Sequence, residues 1–130
     1  MQPWNNGPHL VATTIFAGQT IHFICTVAME DDDSSMVFIQ VRKDPWNVPN
    51  PEVIAEGVIH QETDYTVQPP VRIPLMTTAT KKISKLNSDL KEYFRGVDPQ
   101  SEWDHVFEYL QSLEWQPSTQ TGTPVLKPKA

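Results

Sequence analysis

Apolar and polar residues alternate almost one for one between Thr20 and Met29, with Ile21, Phe23, Cys25, Val27 and Met29 on one side and His22, Thr26 and Ala28 on the other. Only Ile24 breaks the pattern. Met36 to Lys43 repeats it with Val37, Ile39 and Val41, and a period of two marks strands with one buried face. The intervening Glu30-Asp31-Asp32-Asp33-Ser34-Ser35 is polar and predicts a turn between antiparallel strands. Centring that turn on Asp33 sets Val27 opposite Ile39 and Cys25 opposite Val41, so both apolar rows share one side of the sheet. Leu10 to Phe16 is rich in β-branched residues and ends at Ala17-Gly18-Gln19, where Gly18 suits a tight turn; a three-strand meander is expected from about 10 to 43.

Three prolines in Asp44-Pro45-Trp46-Asn47-Val48-Pro49-Asn50-Pro51 then predict a loop or an extended crossing. Strand character resumes from Val53 to His60, with Gly57 as a bulge or a point of close approach. Tyr65 to Val67 adds at most a short strand, and Pro69, Pro70 and Pro74 confine Val71 to Leu75 to a sheet edge.

From about Thr78 the spacing changes to 3.6. Ile83, Leu86, Leu90, Tyr93 and Phe94 form one stripe of a helix closing at Gly96. Asp98-Pro99 opens a second helix whose stripe is Trp103, Val106, Phe107, Leu110 and Leu113, stopping ahead of Pro117, with Ser101 to Asp104 as a further capping box. The short link predicts a helical hairpin. Residues 116 to 130 read as extended or disordered.

The expected fold is therefore α+β in one domain, residues 1–130. A small antiparallel β-sheet or partial sandwich (10–76) is covered by a C-terminal helical hairpin (77–116), and proline-rich arms extend at 1–9 and 117–130. No apolar run approaches the roughly 20 residues of a membrane-spanning helix, and the first residues lack the basic start and apolar core of a secretory signal. The location is otherwise open, a virion being the expectation for a viral chain.

The net charge of −6 disfavours nucleic acid as a partner. It is also unevenly spread: net −6 over residues 1–76, +3 over 77–96 and −5 over 97–116. Glu102, Asp104, Glu108 and Glu114 are expected to neutralise Lys81, Lys82, Lys85, Lys91 and Arg95 across the helical hairpin.

Reactive chemistry finds little support. Cys25 is the only cysteine and sits mid-strand on the apolar side, the place of a small buried hydrophobe rather than a nucleophile. His9, His22, His60 and His105 lack short ligand spacings, although His22 and His60 lie on strands that folding can bring together. The acidic run Asp31-Asp32-Asp33 lacks the glycine and distal glutamate of an EF-hand loop and reads as a solvated turn; whether it takes a cation is open. The expectation is no enzyme, no cofactor and no metal.

Trp103 belongs to the core stripe, whereas Trp4 and Trp46 stand in proline-rich segments where a large ring anchors a partner at little entropic cost. Partner contacts are assigned to Trp4, Trp46, Pro117, Val125 and Leu126. The functional expectation is a non-enzymatic subunit of a larger protein assembly, homo- or hetero-oligomeric, with a viral or bacteriophage particle as its setting. The alternative is a β-sandwich binding module for a glycan or small ligand.

Residues 17 to 27, Ala-Gly-Gln-Thr-Ile-His-Phe-Ile-Cys-Thr-Val, resemble the glycine turn and cysteine-bearing second strand of immunoglobulin-like domains. Phe38, thirteen residues after Cys25, falls where that family places its buried tryptophan. The resemblance implies sandwich-like β packing. No second cysteine or tyrosine corner follows, and helices stand where the later strands would be.

Overall fold

A computed structural model describes residues 4–31, 34–60, 63–117 and 124–128. Four strands, β1 (Trp4–Phe16), β2 (Gln19–Asp31), β3 (Ser34–Lys43) and β4 (Val53–His60), form an antiparallel sheet in the order β1-β2-β3-β4. A short hairpin follows, β5 (Thr63–Asp64) and β6 (Val71–Arg72), then helices α1 (Leu75–Tyr93) and α2 (Gln100–Gln111). A second hairpin, β7 (Leu113–Pro117) and β8 (Pro124–Pro128), ends the described chain. The α+β class is as expected; neighbouring strands are also consecutive in sequence, so the sheet is a meander without the Greek-key crossing of immunoglobulin domains. Phe38 is half-buried and outside the main core.

The helices cover one face of the sheet, α1 against β4 and α2 against β1 and β2. Between them lies the core: Ile21, Phe23, Cys25 and Val27 of β2, Val37, Ile39 and Val41 of β3, and the helical stripes Ala79, Ile83, Leu86, Leu90 and Trp103, Val106, Leu110. Phe23 meets Trp103 edge to face with ring centroids 5.0 Å apart, and Phe16 meets Phe94 at 5.4 Å, arrangements that the aromatic quadrupole favours. Tyr93, expected in the stripe, is exposed and turned edge-on to Phe94. The reverse face is not simply wet: Ile24 and Met36 are buried there outside the main core, which accounts for the break at Ile24 in the alternation.

The register differs from expectation by two residues. Val27 faces Val37, Cys25 faces Ile39 and Phe23 faces Val41, because the ladder closes on Asp31 opposite Ser34 and its centre moves one residue toward the N-terminus. An even shift leaves every side chain on its own face, so the apolar rows still coincide.

Residues 4–9 of the expected N-terminal arm continue β1, with Trp4 opposite Met29. The breakers that made this segment look like an arm are absorbed by a register shift between Asn6 and His9. Gly7 has φ 138°, and a Cβ on it would stand 3.0 Å from the Cys25 carbonyl oxygen and 3.1 Å from the Thr26 Cα. At the other end of β1 both central turn residues have positive φ, Ala17 at 51° and Gly18 at 76°, as the two-residue hairpin turn of type I′ requires.

Gly57 is a close-approach point and not a bulge: a Cβ there would lie 2.8 Å from Lys82 Cδ and 3.4 Å from Leu86 Cδ1, so its bare backbone lets α1 settle on β4. Helix α1 begins at Leu75, three residues early, with Pro74 at its cap. At α2 the Asp98 carboxylate accepts from the Gln100 N–H at 3.1 Å, but the cap position expected of Asp98 is taken by Pro99, one residue later. The helix stops at Gln111, short of the expected Leu113, where both the N–H and the hydroxyl of Ser112 donate to the Tyr109 carbonyl. Leu113 is still buried, as the first residue of β7, and β8 lies against β2 and β3.

Candidate functional site

The segment joining β4 to α1 carries the exposed apolar groups that the sheet and helices do not use. Thr63 pairs with Arg72 and Asp64 with Val71, and neither β5 nor β6 packs on another described strand or helix. Three of its apolar side chains face solvent: Tyr65 at 74% exposure, Val71 at 52% and Val67 at 41%. Its first turn is fixed from within, because Asp64 Oδ1 accepts both the Thr66 N–H at 2.9 Å and the Thr66 hydroxyl at 2.5 Å, closing a loop around Tyr65. Those two bonds, the hydroxyl's first, hold the Asp64 carboxyl below its usual pKa although the group is exposed. Pro69 and Pro70 restrict the tip. A turn closed by these bonds and restricted by two prolines loses less entropy on docking than an open loop, which favours contact through its tyrosine and valines.

Sequence reasoning expected a short strand at Tyr65 to Val67 and an edge strand within Val71 to Leu75; the structure puts Tyr65 to Val67 in the turn and the strands at Thr63–Asp64 and Val71–Arg72. The prolines that demoted Val71 to Leu75 to an edge also obscured a hairpin whose register needs only two residue pairs. The usable signal was Tyr65-Thr66-Val67 lying between Asp64 and Gln68-Pro69-Pro70, apolar residues bracketed by turn formers.

The residues assigned to partner contact fall as follows. Trp46 is half-buried; its carbonyl accepts from Arg42 Nη1 at 2.8 Å and its ring lies 6.1 Å from that of His22. Trp4 lies at the start of β1, Pro117 at the end of β7, and Val125 and Leu126 opposite Gln116 and Trp115 in β8. The side chains of Trp4, Pro117, Val125 and Leu126 lie outside the described residues.

Cys25 is fully buried on the helix side, and burial pushes its thiol up to about 12, far from a nucleophile's range. His22, three residues away, projects from the opposite face. There the Asp44 carboxylate can only accept, so Nε2–H of His22 donates to Asp44 Oδ1 at 3.0 Å, and Nδ1 shares a hydrogen bond with the Thr13 hydroxyl at 2.9 Å. The buried imidazole thus joins β1, β2 and the segment after β3. His60 stands opposite Met36, six residues along β3 from the partner of His22, a separation of about 20 Å at 3.3 Å per residue. The two histidines do not meet.

His9 stacks on Tyr109 with centroids 4.8 Å apart, and His105 lies 3.9 Å from Glu108 on its own helix. Among the described residues no group of three metal donors converges; Asp32 and Asp33 of the acidic turn lie outside them. No described helix is long and apolar enough to cross a membrane.

The charge pairing across the helices is not what was expected. Lys85 pairs with Asp89 at 3.2 Å along α1, Lys43 with Glu52 at 2.8 Å, and no described ion pair joins α1 to Glu102, Asp104 or Glu108 of α2; the side chain of Glu114 lies outside the described residues. The facing surfaces instead hold Thr80, Ser84 and Asn87 on one side and Gln100 and Phe107 on the other, around an open cavity of about 260 Å³ floored by Ile83.

Comparison with known proteins adds no identification: no family model matches this chain, and neither the curated proteins nor the solved structures give a match.

Proposed function

We propose that this chain is a protein-interaction subunit of a larger assembly and that the hairpin around Tyr65 is a contact arm. The observation that carries the reading is a hairpin that leaves Tyr65, Val67 and Val71 exposed around a turn closed by Asp64, its two strands packed on no other described strand or helix. Isolated exposed apolar residues are common, but three together on one hairpin fit the description of a partner's anchor. A viral or phage particle is a setting that suits a short acidic chain with proline-rich ends.

The test is light scattering of the purified chain over a wide concentration range, beside the double variant Tyr65→Ser, Val71→Ser. Concentration-dependent association by the native chain, weakened in the variant, supports the reading. A native chain that stays monomeric at the highest soluble concentration overturns it.

The cavity between the helices favours a second reading, a module for a small uncharged ligand. Its hydroxyl and amide lining offers donors and acceptors but no charge, and its volume falls below the 300 Å³ or more typical of drug-sized sites. Amide shifts confined to the residues around Asn87 and Phe107 on titration with glucose would favour it; no shift anywhere would remove it.

A further inference from the structure

Strand β1 is one edge of the four-stranded sheet, and its thirteen residues contain no aspartate, glutamate, lysine or arginine. Natural edges are commonly blunted by charge, by proline or by bulges, because unpaired N–H and C=O groups recruit a further strand. The first half of β1 uses two of these devices, with Pro8 and register shifts between Asn6 and His9 and between Leu10 and Ala12. The second half uses none: Ala12 to Phe16 pairs with β2 in unbroken register, and Ile15 on its outward-facing side is 67% exposed.

The geometry of the turn settles which groups are free. A two-residue turn at Ala17-Gly18 makes Phe16 and Gln19 a hydrogen-bonded pair, so by alternation Thr14 and Ala12 also direct their backbone groups toward β2. Thr13 and Ile15 therefore direct theirs outward. The spacing of these two residues is what a strand needs to pair with an antiparallel copy of itself.

We propose that this edge is a homodimer interface, in which Ala12 to Phe16 of two copies pair antiparallel about a two-fold axis at Thr14. Thr13 then faces Ile15 of the second copy and Ile15 faces its Thr13, giving four backbone hydrogen bonds and a continuous eight-stranded sheet. The two-fold arrangement is isologous, so one uncharged strand supplies both halves of the contact. A second copy is the occupant that the register fits: the outward groups of Thr13 and Ile15 lie symmetrically about Thr14, and β1 sets no charged side chain against its own copy although the chain carries −6 overall. The other edge, β4, carries Glu56 and lies beneath α1. The inference rests on the assembly reading and adds to it a partner and a register.

Two variants test it by light scattering and thermal melting. Ile15→Lys places a charge at the centre of the edge, and Ile15→Pro removes an N–H that the monomer's own ladder does not use. The expected result at low concentration is a native particle of twice the 14.8 kDa chain mass, reduced to the single mass by either variant with the fold retained, while Tyr65→Ser, Val71→Ser keeps this dimer and loses only the further association that sets in at high concentration. A native dimer that both Ile15 variants leave intact overturns the edge interface alone, and its loss on changing Tyr65 and Val71 would leave the contact arm standing. A native chain that is monomeric at every concentration overturns both.

Discussion

Strand β2 and the hairpin 63–72 are both β structure, yet they are held by opposite means. Every residue of β2 from Ile21 to Cys25 is buried, and the strand is gripped by β1 and β3 at its sides and by Trp103 over Phe23. The hairpin has two residue pairs, exposed apolar side chains and a carboxylate turn for internal support. The first is stabilised by excluded water, the second by local geometry, so the first belongs to the fold and the second is available for contact. Hydrophobic burial grows with the area removed from water, and the hairpin leaves Tyr65, Val67 and Val71 at 74%, 41% and 52% exposure within the monomer.

The largest effect is expected where the contrast is greatest. Trp103→Ala empties the site opposite Phe23 and should cost about 3–5 kcal/mol in urea unfolding, the range for deleting a buried aromatic side chain. A loss below about 1 kcal/mol would mean that the core closes over the gap and that β2 is not clamped from the helix side.

Gly7→Ala comes next. Its φ of 138° and the 3.0 Å approach to the Cys25 carbonyl leave no room for a methyl group, so a loss of about 1–3 kcal/mol is expected. This variant also separates a strand from an arm: if residues 4–9 were not attached to β2, the substitution would leave the melting temperature unchanged.

Ala17→Asn should act in the other direction. Ala17 carries φ 51° in the turn, a conformation that asparagine tolerates better, and Asn-Gly is the preferred pair for this hairpin, so a gain of about 0.5–1 kcal/mol is expected. No gain in thermal unfolding would mean that the surrounding β1-β2 ladder already relieves the strain.

What could be read from the sequence follows the same contrast. Alternation located β2 and β3 because burial on one face imposes a period of two, and the helical stripes located Ile83, Leu86, Leu90 and Trp103 for the same reason with a period of 3.6. The register was read two residues away because it depends on the length of the acidic turn, and nothing in Asp31-Asp32-Asp33 specifies where pairing stops. The start of β1 was concealed by Gly7-Pro8, breakers that a bulge absorbs, and β7-β8 by Pro117, Pro124 and Pro128. Exposed elements such as Tyr65, Val67 and Ile15 carry no periodic signal, because no packing partner within the chain constrains their spacing. The contact surface was therefore the least legible part, and the tryptophans that drew attention were a poorer guide: Trp103 is core and Trp46 is held half-buried beside His22.

The smallest effect on stability is expected from Tyr65→Ser with Val71→Ser. Both side chains are more than half exposed, so each change should move the unfolding free energy by no more than about 0.5 kcal/mol, while association weakens. That dissociation of stability from binding is what distinguishes a contact arm from a piece of the core. Should the double variant lower the melting temperature as much as Gly7→Ala does, the hairpin would be supporting the fold, and the line drawn between it and β2 would be wrong.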